Sequence, residues 1–237
     1  MPLADDIRAL PDRTLAELNA AFDYYYHSEV GWGLANHALA TNPTQPYQNP
    51  TTGTIVSGTD LIALSALYIN RQLTEATFQQ FLSIFEVFIG DLLRLWLTAY
   101  PRAIGGKTIE FKDALDALDA LDAGDLPTLV SRLVDHEVAE VTYKSPRTVF
   151  QYIERRIGLP LPTTAEIDRL AEAKATRDVL VHNRGAVDAG YRLKAGALAR
   201  FTVGQRIDIP KPYHRAAWQL VAKLAADIAD AAVVKAQ

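Results

Sequence analysis

Residues 177–185 read RDVLVHNRG, which puts Arg177, Asp178, His182 and Asn183 within two turns of a predicted helix. Those side chains suit metal-free cleavage of RNA. A base must take the proton from a 2′-hydroxyl, and histidine is the side chain whose ordinary pKa lies nearest neutrality. A donor must hold the phosphate as charge builds on its oxygens, and the planar guanidinium of arginine does this with paired N–H groups. A carboxylate such as Asp178 can orient either partner. The same residues also suit an ordinary helix end, where the macrodipole favours cations in the last turn. Spacing alone leaves both readings open.

Helical geometry refines the pattern. At 100° per residue, Ile167, Leu170 and Val181 fall on one face, and Lys174, Arg177 and Arg184 fall on that same face. The stripe begins apolar and ends basic. A cation at core spacing must be paired, must snorkel, or must line a cavity or an interface. Asp178 and His182 are four residues apart and share a side of the helix beside the Arg177 stripe, with Asn183 further round. Upstream, Thr163 and Glu166 form a capping box, and Gly185 is placed to end the helix.

Other elements must position this helix. The chain has 237 residues, 49% apolar and 22% charged, with a net charge of −4 and no cysteine. That length buries a sizeable core, and the composition is ordinary for a globular protein. No global basic field exists, so any nucleic-acid contact must come from a local patch. Disulfides, thiolate metal sites and cysteine nucleophiles are excluded. The first residues, MPLADDIRALPDR, carry Asp5 and Asp6 and no apolar run, so no signal peptide is expected.

Helices are predicted over 14–29 (capped by Thr14), 60–71, 74–100 (capped by Thr74, stopped by Pro101), 127–142, 146–157, 164–184 and from Pro212 onward. The last carries an apolar stripe of Trp218, Val221, Ala225, Ile228 and Ala232. The segment 41–59, rich in Pro, Gly, Asn and Thr, reads as a long surface loop or insert. DALDALDALDA at 113–123 repeats every three residues, drifts around a helix axis, and reads as a solvated helix rather than a calcium loop. ARFTVGQRIDIP suggests a β-hairpin turning at Gly204 and Gln205. The fold class is therefore all-α with a small β-hairpin before the C-terminal helix. The greasy stretch 78–100 is interrupted by Glu86, Asp91 and Arg94. Each charge costs about 2.5 to 3.5 kcal/mol at mid-bilayer, so a buried helix is the better reading.

Remaining candidates are weaker. Glu86 shares a stripe with Ser83, Gly90 and Arg94 and is placed to meet Arg177 across a helix–helix contact; a salt bridge with a neighbouring helix or with Arg94 is the simpler reading. HEVAE at 136–140 lacks the second histidine of a zinc motif, so no metal site is read there. The YYY run at 24–26 beside His27 suits base stacking, but aromatics at a helix end more often pack a core. His214 reads as an exposed residue at the start of the last helix.

The order Arg177, Asp178, His182 resembles the signature of the HEPN superfamily, α-helical RNases and nucleotide-binding proteins of toxin–antitoxin, abortive-infection and CRISPR systems. Its motif is an Arg, then a polar residue, then a His four to six residues after the Arg, on a late helix of a bundle. The resemblance covers roughly 74–234, with FLSIFEVFIGDLLRLWLTAYP as the long helix packed against the motif. It implies a single HEPN-like domain over 1–237: a core bundle at 74–234 preceded by N-terminal helices in 1–73 that carry the 41–59 insert. It implies a cytoplasmic, metal-independent and cofactor-free endoribonuclease, a toxin or phage-defence effector, with a composite site at a homodimer interface. Arg177, His182, Asp178 and Asn183 would be catalytic, Lys174 and Arg184 would bind substrate, and Glu86 would support them. RNA, a second copy and a cognate antitoxin or regulatory protein are the implied partners, with no membrane. Family toxins paired with nucleotidyltransferase antitoxins often carry a Tyr two residues after the His; Arg184 stands there, and Tyr191 is wrongly spaced to replace it. The alternative is a non-catalytic HEPN-like dimerisation module that binds RNA, a nucleotide or a partner protein.

Overall fold

A computed structural model describes residues 2–105, 126–160 and 162–237; the 113–123 repeat lies outside the described residues. The fold is all-α with one two-stranded hairpin. Its first helix, α1 (Pro2–Thr41), is far longer than the predicted 14–29 and carries Pro11 within it. A proline inside a helix removes one backbone bond and clashes with the preceding turn. Burial of Ile7, Leu10 and Leu18 on both sides of it outweighs that cost and carries the helix through. Thr14 is buried mid-helix rather than capping its start.

The hairpin lies in the 41–59 insert, where Tyr47–Gln48 pairs with Ile55–Val56 antiparallel. Asn49 organises its tip: the Oδ1 accepts from Thr51 N at 2.9 Å and Thr52 N at 3.2 Å, and Gly53 closes the turn with φ 69°. The predicted hairpin at 199–210 does not form. That segment turns at Gly204 but pairs with the exit of the motif helix instead. Val187 N donates to Gln205 O and Ile207 N to Gly185 O, both at 2.8 Å. Ile207 and Ile209 face the core, so the alternating pattern marks a strap buried on one side rather than a strand paired with its neighbour.

A Ser57–Asp60 capping box starts α2 (Gly58–Leu67), which continues through a π-helical turn (Tyr68–Leu73) into α3 (Thr74–Ala99). Thr74 therefore caps nothing; its hydroxyl bonds back to Arg71 O at 3.0 Å. Phe78, Phe81, Phe88, Leu92, Leu93 and Leu97 are buried along α3, which forms the centre of the core. Packed around it are α1, α4 (Leu126–Thr142), α6 (Thr164–His182) and α8 (Lys211–Ala236). Ser145 and Pro146 open α5 (Pro146–Ile157) as predicted. A short α7 (Ala189–Ala195) follows α6. Val221, Ala225, Ile228 and Ala232 of α8 are buried as the stripe requires. Among the described residues no helix is long and apolar enough to cross a membrane.

His214 is not exposed but fully buried, against Phe22, Tyr25 and Phe81. Thr77 donates its single hydrogen to Leu73 O at 2.7 Å, so His214 Nε2–H must donate to Thr77 Oγ1, also at 2.7 Å. His214 Nδ1 is buried without a hydrogen-bond partner. Burial pushes the imidazole down from 6.5 to about 4, because a charged ring there would lose its water. The unfolded chain binds this proton first as pH falls. Stability is intact above pH 6.5 and declines by up to about 3 kcal/mol as pH falls through 4. Urea unfolding at pH 7 and pH 4.5 checks this: His214→Phe should lose less stability between the two than wild type, and equal losses would contradict it.

Candidate functional site

Thr163 and Glu166 cap α6 reciprocally, with Thr163 N donating to Glu166 Oε2 at 2.9 Å and Glu166 N to Thr163 Oγ1 at 3.3 Å. Lys223 and these cap bonds hold the Glu166 carboxyl down at about 2. The other end stops at His182. Arg184 then adopts the left-handed region with φ 51° and Gly185 with φ 81°, and Gly185 N bonds back to Val179 O at 3.0 Å. A left-handed arginine costs roughly 1–2 kcal/mol. The strap holds it there, since Arg206 donates to Arg184 O at 2.5 Å.

Ile167 and Leu170 of the predicted stripe are buried, but Val181 is 48% exposed. At the level of Lys174 the stripe leaves the core and opens on a groove of about 600 Å³ between α3, α4 and α6. Ser83, Glu86, Gly90 and Arg94 line its α3 wall, the four residues that shared a stripe in the sequence. Lys174, Arg177, Asp178 and His182 line its α6 wall. A Cβ at Gly90 would meet α4 at ordinary contact distance, 3.7 Å from Val138 Cγ1.

Arg177 is held tightly. Its Nη2 donates to Glu86 Oε1 at 2.5 Å, across the helix–helix contact the sequence suggests. Asp178 Oδ1 forms an ion pair with Arg177 Nε at 3.4 Å, without hydrogen-bond geometry, so among the described residues that buried N–H has no hydrogen-bond partner. Asp178 Oδ2 takes a 2.9 Å bond from Lys194 of α7. Asp178 therefore positions the guanidinium and not the imidazole; among the described residues nothing hydrogen-bonds the exposed His182 ring. Lys174 Nζ bonds Glu86 at 3.0 Å, Thr142 O at 3.2 Å and Lys144 O at 3.3 Å. Two backbone bonds and an ion pair hold it, so it braces the α4–α5 turn. Arg94 is drawn to Asp91 and Asp135, each at 3.2 Å.

Two predicted site residues stand apart. Asn183 ties the turn, donating to Ala186 O at 2.5 Å, and Arg184 projects into solvent beyond the groove. Neither lines the groove, because the two left-handed residues swing the chain away after His182. Comparison with protein-family models, with curated proteins and with solved structures finds no match to this chain.

Sequence spacing misses three neighbours. Lys194 lies 16 residues from the carboxylate it binds, with a chain reversal between. Tyr143 is 90% exposed at the groove mouth. Glu172, five residues before Arg177 and about 140° round the helix, is buried and takes bonds from Thr176, Tyr191, Arg200 and Tyr213. The run of small residues around Glu172 (AEAKA) was the single available hint that a carboxylate there sits in a tight space.

Proposed function

We propose that the chain is a metal-independent endoribonuclease of HEPN type, a toxin or phage-defence effector whose site is completed by a second copy. One observation carries this reading: Arg177 and His182 open on the same solvent-reachable groove, with the arginine pre-set by two carboxylates. His182 takes the 2′-hydroxyl proton, the 2′-oxygen attacks the adjacent phosphorus, and the 5′-oxygen leaves. Arg177 holds the phosphoryl oxygens as their charge grows. The two residues are five apart, roughly 7.5 Å along the helix axis. A second copy facing the groove adds another pair, its histidine to hand a proton to the leaving 5′-oxygen and its arginine to steady the phosphate. Val87, which lines the groove and is 55% exposed, gives that copy an apolar contact to cover.

Purified protein incubated with total RNA in excess chelator should produce fragments ending in 2′,3′-cyclic phosphate. Intact RNA, or cleavage that stops with chelator, rejects the reading. The unanchored His182 ring favours a second reading, a non-catalytic dimeric module that binds RNA, a nucleotide or an antitoxin-like protein. That module would retain RNA on a gel without shortening it.

A further inference from the structure

Resting on the ribonuclease reading, we infer that Tyr143 is a base-stacking platform for the nucleotide next to the scissile phosphate. Tyr143 follows the last residue of α4, and its ring is 90% exposed at the mouth of the groove that holds Arg177 and His182. No hydrogen bond involves its phenol among the described residues. An aromatic ring left wholly in water forgoes a large burial gain, so it carries no folding role. Its backbone, by contrast, is fixed. Lys174 Nζ bonds the carbonyls of Thr142 and Lys144 on either side, at 3.2 and 3.3 Å, and anchors to Glu86 at 3.0 Å. Glu86 also holds Arg177, at 2.5 Å. One carboxylate thus links the backbone that carries Tyr143 to the guanidinium.

The charge of the groove suits a phosphodiester beside such a ring. Lys174, Arg177 and Lys194 face two carboxylates, Glu86 and Asp178, which leaves a net positive wall on a chain of net charge −4. A phosphate on Arg177 would leave an adjoining base within reach of an exposed aromatic face, and any base can stack there.

The test uses the full chain and a fluorescent single-stranded 2′-O-methyl oligoribonucleotide, which lacks the attacking hydroxyl and so reports binding without cleavage. Tyr143→Ala should weaken binding by roughly 5- to 100-fold, the loss of one base–aromatic stack, while Tyr143→Trp retains it. Abasic replacement of the flanking nucleotide should cost wild type a similar factor and cost Tyr143→Ala almost nothing. On cleavable RNA the Tyr143→Ala loss should fall on KM rather than kcat. Equal binding by Tyr143→Ala and wild type overturns the inference. So does dissociation of a wild-type dimer by Tyr143→Ala in sedimentation, which would make the ring a protein contact. Binding without cleavage by wild type rejects the ribonuclease reading alone, and the Tyr143 comparison still decides this one; absence of binding rejects both.

Discussion

Replacing His182 by alanine is expected to lower RNA cleavage by roughly 10²- to 10⁴-fold, the usual loss when a positioned general base is removed. The side chain is exposed and nothing among the described residues hydrogen-bonds it, so stability should stay within about 0.5 kcal/mol of wild type. Activity and folding are separable at this position for that reason. Arg177→Ala should cost roughly 10²- to 10³-fold, as loss of an oxyanion donor does. Arg177→Lys should not recover it, because an ammonium cannot reproduce the planar fork that spans Glu86 and a phosphate. Single-turnover rates on a defined RNA measure both, with thermal melts run alongside. Full-rate cleavage by purified, folded His182→Ala would remove His182 from the mechanism.

The second large effect is on the fold. Glu172→Ala should destabilise the protein by about 3–5 kcal/mol, the loss seen when one partner of a buried pair is removed. The carboxylate is 4% exposed and has four partners. Oε1 takes bonds from Thr176 Oγ1 at 2.8 Å, Arg200 Nε at 3.0 Å and Tyr191 Oη at 3.1 Å; Oε2 takes one from Tyr213 Oη at 2.7 Å. Arg200 also lies over the Tyr213 ring, 3.5 Å from its centroid. Burial, then the Glu172 charge, pushes the Tyr213 phenol well above its usual range. Removing Glu172 takes the carboxylate from a half-buried guanidinium and two phenols, leaving Tyr191 Oη the Arg200 N–H at 3.0 Å and the guanidinium a long bond to Asp208 O at 3.4 Å, and loosens the 199–210 strap that steadies the end of α6. The thermal midpoint should fall by roughly 6–20 °C. Glu172→Gln, which keeps an acceptor, should fall less. An unchanged midpoint in Glu172→Ala would show that the strap's apolar contacts and its backbone bonds to Gly185 and Val187 hold it without the carboxylate.

Arg177 and Glu172 stand five residues apart on α6 and differ in how they could be read. Arg177 was legible because the cues lie within one helix: a cation at core spacing, a following carboxylate, a histidine five residues on. Glu86 was legible as one candidate partner, with Arg94 or a neighbouring helix the simpler choice, because Glu86 and Arg177 both sit on stripes of long, regular helices, where a 3.6-residue period maps sequence onto faces. Glu172 was not legible, since its partners lie 19, 28 and 41 residues away across turns whose directions no local period encodes.

By itself the sequence determined the helical class, the capped start of α6 and the buried stripe of α8, all set by short-range periodicity and capping chemistry. Only the tertiary structure decided what depends on long-range packing. It buried His214, carried α1 through Pro11 and moved the hairpin into the insert. It also turned Asn183 and Arg184 away from the groove and brought Lys194 and Tyr143 to it. The physical reason is common to these cases. Burial and chain reversal join residues far apart in sequence, and their free energy exceeds the local preferences that a reading of neighbours can weigh.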